Sequence, residues 1–118
     1  MLTTSYFGNL RNVRSPLSIS SKAPSWYTGT ELKILAPKWW FFDEYKRGII
    51  DERGYTEHFM REVLGPLNPV VVYQEIVRLA GDDATLLCYE KPGEFCHRRI
   101  VADWMGERLG ISFPELPR

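Results

Sequence analysis

Residues 86–110 read LLCYEKPGEFCHRRIVADWMGERLG, and this stretch decides the fold. It continues an apolar run that begins at Ala84. Residues 84–89 (ATLLCY) stand between acidic residues, the pattern of a central strand covered on both faces. After Glu90 comes the polar loop KPGEF, where Pro92 and Gly93 permit a tight turn and a close approach of backbone to a ligand. His97 then opens a predicted helix over residues 97–109. Ile100 and Trp104 face inward, Val101 and Leu109 are further candidates for that face, and Gly110 is the C-terminal stop. A buried strand feeding a helix is the habit of α/β proteins. In open α/β sheets, ligands collect where strand C-termini lead into helix N-termini. Glu90, Cys96, His97 and Arg98 therefore form the candidate functional site.

Upstream of this unit, residues 69–80 read as a helix with Asn68 as its cap and Pro69 at its first position. Val72, Ile76 and Leu79 supply its buried stripe, and Gly81 closes it. Residues 55–64 (YTEHFMREVL) place Tyr55, Phe59 and Val63 on one helical face, with Gly65 and Pro66 as terminators. Residues 39–46 (WWFFDEYK) predict another helix between Pro37 and Gly48. Its consecutive aromatics cannot share one face, so at least one must point at a loop, a pocket or another chain. A short apolar stretch runs from Glu31 to Pro37. Residues 22–29 form a loop carrying Trp26 and Tyr27, residues 17–21 (LSISS) alternate like a strand with one buried face, residues 8–14 are turn-like, and residues 2–6 are a short strand. The expected architecture is one α/β domain over residues 1–118, with a small, mostly parallel sheet covered by helices.

A chain of 118 residues is the size of one domain, and 44% hydrophobic with 25% charged residues is ordinary globular composition. Aromatics reach 14%. They can thicken a core, line a pocket or form an interface, which leaves room for a homo-oligomer through an aromatic surface. Fifteen basic and fifteen acidic residues leave a formal charge of zero. That balance argues against nucleic acid as a partner, since such binding rests on a basic face. It is compatible with a small anionic ligand, which needs only a local set of donors. No run approaches membrane-spanning length, and MLTTSYFGNL lacks the regions of a signal peptide. A cytoplasmic address follows as an expectation, with Cys88 and Cys96 kept as thiols.

The chemistry expected of the site follows from its position. A helix start presents unpaired N–H groups and a partial positive charge, which stabilise an anion. Arg98 could add a bidentate clamp there. The same dipole favours a thiolate at Cys96 and a neutral imidazole at His97. Glu90 could orient His97 or Arg98, or act as a base. Each residue also has a plain structural reading. Cys88 is core material, Cys96 beside Phe95 is equally a packed cap residue, and Arg98 and Arg99 are equally solvated surface charges. A second polar group, Arg11, Ser18, Ser20, Ser21 and Trp26 with Asn9, could border the same crevice if residues 17–21 pair beside residues 84–89. No metal is expected, because Cys88 and Cys96 lack a Cys-x-x-Cys spacing and His58 lies on another helix. No phosphate loop, nucleophile elbow or paired-histidine motif calls for a cofactor.

The Leu-Cys-x-Glu strand end followed by the Cys-His-Arg helix start resembles the C-terminal signature of the domain of unknown function 488 family. TSYFGNL, the SIS segment, the P-x-W-Y loop and LAP before a helix are similar to its short single-domain members. The resemblance implies a compact α/β domain of bacteria, archaea or phages. It carries over Cys88, Glu90, Cys96, His97 and Arg98 as motif positions, and so brings Cys88 into the candidate ligand site. It implies no agreed reaction. The expectation is a small anionic, nucleotide-like ligand, either simply bound or acted on by Cys96 as nucleophile or by His97 and Glu90 as acid and base.

Overall fold

The computed structural model describes residues 1–117. Strand β1 (Thr3–Tyr6) passes through a 3-10 turn (Phe7–Asn12) into β2 (Pro16–Ser18). The two-residue β3 (Thr30–Glu31) and a second 3-10 turn (Lys33–Leu35) occupy the apolar stretch before Pro37. Helix α1 (Trp39–Lys46) precedes α2 (Glu52–His58), which runs on as a π-helical segment (Phe59–Leu64). Helix α3 (Pro69–Ala80), strand β4 (Thr85–Cys88) and helix α4 (His97–Leu109) complete the regular structure.

The sheet has the order β1-β4-β2-β3, and every neighbouring pair is parallel. β4 is central: Thr4 on β1 and Leu17 on β2 both pair with Leu86. All four of its residues are buried, as its unbroken apolar run requires. Because the strands run the same way, the C-terminal ends of β2 and β4 open on the same sheet edge. β2 stops at Ser18, earlier than the alternation of residues 17–21 predicts. Ile19 N–H still donates to the Leu87 carbonyl at 3.0 Å, but Ser20 N–H donates to Ser18 Oγ at 3.3 Å. That local side-chain bond competes with the ladder and turns the chain out of the sheet.

Helix boundaries follow their caps. Asn68 accepts from Val70 N–H at 2.9 Å, and Gly110 adopts the left-handed conformation at φ 66°. Asp51 accepts from Gly54 N–H at 2.8 Å, so α2 begins earlier than the apolar stripe alone predicts. Tyr55, Phe59 and Val63 are all buried, and the wider π turn adds Leu64 to the same packed side. Leu17, Ile19, Phe41, Phe59, Ile76, Leu86, Val101 and Met105 meet in the core with 0% exposure. Each such side chain gains roughly 1.5–3 kcal/mol from leaving water. On α4 the buried face is Val101, Ala102, Trp104 and Met105, while Ile100 packs only at its margin. Beyond Gly110 the chain lies along the outer edge of β1: Thr4 N–H donates to the Pro114 carbonyl at 3.0 Å and Leu116 N–H to the Thr4 carbonyl at 2.7 Å. No helix among the described residues is long and apolar enough to cross a membrane.

Candidate functional site

The sheet edge that collects the ends of β2 and β4 opens into a cavity of about 330 Å³. Ser20 and Ser21 reach it from the end of β2, Cys88 and Glu90 from the end of β4, and Cys96 and His97 from the start of α4. Six of the residues singled out in the sequence thus share one site. The walls come from elsewhere. Tyr45 on α1, Tyr55 on α2 and Phe95 form a ring cluster with centroids 5.2–5.4 Å apart. Trp39 and Phe42 stand on the same side as Tyr45 and also line the cavity. The four adjacent aromatics of α1 therefore divide as helix geometry demands. Phe41 is fully buried, Trp39 and Phe42 face the cavity, and Trp40 stacks edge-on against His58.

The two sulfurs also meet at this site. Cys88 and Cys96, eight positions apart, bring their sulfurs into contact across a Cα–Cα distance of 7.2 Å, which is longer than a disulfide ordinarily spans. The expected pair of thiols is thus brought together at one point of the site. The cause is topological: the end of the central strand and the cap of the following helix face each other across the KPGEF loop, which the linear spacing does not reveal.

His97 is 7% exposed, and its Nε2 lies 2.7 Å from the Ile19 carbonyl oxygen. A carbonyl only accepts, so Nε2 carries the hydrogen and Nδ1 keeps a free lone pair. Nδ1 is 3.8 Å from Cys96 Sγ. Burial, opposed by the Ile19 contact and helped by Arg98, brings the His97 pKa down to about 4. The ring is neutral near pH 7. Its orientation comes from the Ile19 carbonyl and not from Glu90, whose carboxylate lies 3.9 Å from Lys46 Nζ.

Arg98 is not available to a ligand. It is 1% exposed, and its Nε and Nη2 donate to the two Glu115 carboxylate oxygens at 3.0 and 2.8 Å. Nη1 donates to the Glu90 carbonyl at 2.7 Å and contacts Cys88 Sγ at 3.0 Å. The expected bidentate clamp exists, but its carboxylate is the protein's own. Three further residues lie away from the cavity. Ser18 is buried and accepts from Ser20 N–H, Arg11 is exposed on the first 3-10 turn, and Trp26 is 58% exposed and packs edge-on to Phe7. Ser18 is the last residue of β2 and its Oγ is taken by Ser20 N–H, and the 22–29 loop folds back toward Phe7.

Positive charge at the cavity comes instead from Lys22 and Lys46. Lys46 ends the aromatic helix, so the argument that an α1 aromatic must face a pocket could have pointed to it. Glu115 had no signal of its own, being one acidic residue in an unpatterned tail. Ser20 Oγ is buried without a hydrogen-bond partner among the described residues, and Ser20 lines the cavity. Side-chain donor atoms of Cys88, Cys96 and His97 all lie within 4.8 Å of one another. The fold thus gathers a set that the spacing argued against.

A parallel α/β sheet with a Cys-x-Glu strand end and a Cys-His-Arg helix start defines the class of this protein. Within it, the chain belongs to DUF488-N3a, the active DUF488-N3 subclade, whose sequence pattern matches residues 9–109. No curated protein and no solved structure matches the chain.

Proposed function

We propose that this protein binds a small anionic, nucleotide-like molecule in the cavity at the C-terminal edge of its sheet, in a cytosolic setting. One observation carries the reading: an aromatic-walled cavity of about 330 Å³ has a buried, unpartnered Ser20 hydroxyl among its lining groups. An unpaired buried hydroxyl is unfavourable until a ligand satisfies it, and aromatic walls suit a flat ring. Lys22, Lys46 and the start of α4 favour negative charge at the same place, against the single carboxylate of Glu90. The anion is held by these groups, with Arg98 acting from beneath as a structural support.

Thermal-shift titration with nucleoside mono- and diphosphates and with phosphometabolites tests the reading. A member of this set is expected to raise the melting temperature of the wild type. Ser20→Leu should abolish the shift by filling the floor, and Lys46→Ala should weaken binding about tenfold through loss of a charged contact. The reading fails if no compound shifts the melt, or if the shift survives Ser20→Leu.

A second reading is that the reduced protein is an enzyme with Cys96 as its nucleophile. It is favoured by the free lone pair of His97 Nδ1, 3.8 Å from Cys96 Sγ, and it accords with the description of the subclade as active. His97 takes the base role in this reading, because Glu90 is turned toward Lys46. Iodoacetamide at neutral pH should label Cys96 of the reduced chain rapidly and selectively. Labelling no faster than an unfolded control removes the nucleophile.

A further inference from the structure

We propose that Cys88 and Cys96 are a working dithiol–disulfide couple that exchanges with a small anionic disulfide entering the cavity. The anionic character rests on the cavity reading above; the couple itself does not. The two sulfurs lie in contact with each other, and both residues line the open cavity. Two sulfurs in contact at the wall of an open cavity can exchange with a small disulfide that enters it, which a pair enclosed in the core cannot do.

The surroundings of the two sulfurs differ in the way such a couple requires. Cys96 is the more exposed, at 6% against 1% for Cys88, and it caps a helix of 13 residues. The helix start favours its thiolate, so Cys96 is the attacking sulfur. Cys88 lies deeper, with Arg98 Nη1 at 3.0 Å from its sulfur. Glu115 and the Glu90 carbonyl hold that guanidinium in place, so Cys88 carries a fixed cation wherever the pair opens. Its Nη1 is thereby a fixed hydrogen-bond donor for the resolving sulfur. His97, neutral, has the free lone pair of its Nδ1 3.8 Å from Cys96 Sγ.

The exchange balances in two steps. The Cys96 thiolate attacks one sulfur of R–S–S–R; the substrate S–S bond breaks, R–S⁻ leaves, and a Cys96–S–S–R mixed disulfide forms. The Cys88 thiolate then attacks Cys96 Sγ, which closes the internal disulfide and releases the second R–S⁻. The two cysteine protons end on two R–SH molecules, and two electrons pass from protein to substrate. A small thiol returns the pair to the dithiol by the same steps in reverse.

The test mixes the reduced chain of residues 1–118 with oxidised glutathione, which is anionic, or with bis(2-hydroxyethyl) disulfide, which is uncharged. Acid-quenched samples are read by intact-mass spectrometry and peptide mapping. The wild type should pass through a single adduct on Cys96 and finish as the Cys88–Cys96 disulfide. Cys88→Ser should stop at the Cys96 adduct, and Cys96→Ser should react at least about tenfold more slowly. The wild-type time course locates the adduct without any substitution, so the proposal does not depend on the variants folding. A first adduct on Cys88, or an adduct that never resolves internally, overturns it. So does a purified chain whose two thiols are held by one equivalent of zinc and react only after chelation. If the uncharged disulfide reacts as fast as oxidised glutathione, the couple stands and the anion preference of the cavity falls. If neither disulfide reacts while nucleotides still bind, the couple falls and the cavity reading stands.

Discussion

At the scale of single residues, Ser20 and His97 show what the cavity costs the fold. The Ser20 hydroxyl has lost water without gaining a partner among the described residues, a state that costs roughly 1–3 kcal/mol. Ser20→Ala should therefore raise the stability of the ligand-free chain by about 1 kcal/mol in a urea titration, while weakening whatever binds in the cavity. A loss of stability would mean that the hydroxyl is already satisfied. His97 is buried in its neutral form. The unfolded chain takes up this proton around pH 6.5, and the folded chain only at about 4. The contribution of His97 is thus whole above pH 6.5 and is lost as the pH falls from there toward 4, on the order of 3 kcal/mol in all. His97→Gln keeps a donor for the Ile19 carbonyl and should be less sensitive to acid than the wild type. Denaturation at about pH 7 and about pH 4.5 compares them, and equal losses would show that His97 is not held neutral. Cys96 and His97 were legible as a pair because a helix start dictates their chemistry. The use of Arg98 was not, because its partner Glu115 lies 17 positions away in a segment with no periodicity.

At the scale of elements, legibility tracked how much of each element's reason is local. Helix α3 carries its cap, its first-turn proline and its stripe in its own sequence, and its bounds agree with the reading of residues 69–80. Asn68→Ala should cost about 1 kcal/mol, with Asn68→Asp close to wild type, because either cap side chain can accept from the first-turn N–H groups. Thermal melts of the two variants decide this; equal losses would show that the side-chain cap contributes nothing. β4 was legible for the same local reason, since a strand buried on both faces must be apolar throughout. The π-helical continuation of α2 was not, because Tyr55, Phe59 and Val63 satisfy an ordinary helical stripe and the extra residue per turn leaves no compositional mark. The early end of β2 was hidden too. Alternation extends through Ser20, and only the Ser18 side-chain contact shows where the ladder gives way.

At the scale of the whole molecule, strand order and the path of the tail depend on pairings between residues far apart in sequence, which no local pattern encodes. β1 and β4 pair Thr3 with Thr85, and the tail brings Glu115 to both Thr4 and Arg98. The tail therefore acts as a latch. It covers the free edge of β1, buries Phe113 and neutralises the guanidinium beneath the cysteine pair. Deleting residues 111–118 removes a buried aromatic, worth roughly 3–5 kcal/mol. It also strands a buried charge, at roughly 3–5 kcal/mol more. Against a total stability of about 5–15 kcal/mol for a domain of this kind, the shortened chain should be largely unfolded at 37 °C. Adding Arg98→Met to the deletion should recover part of the loss, since it removes the stranded charge while keeping an apolar side chain in its place. Urea titrations of the three chains separate the contributions. If the double variant is no more stable than the deletion alone, the tail works by covering the β1 edge and Phe113, and the Glu115–Arg98 pair is not what holds the latch closed.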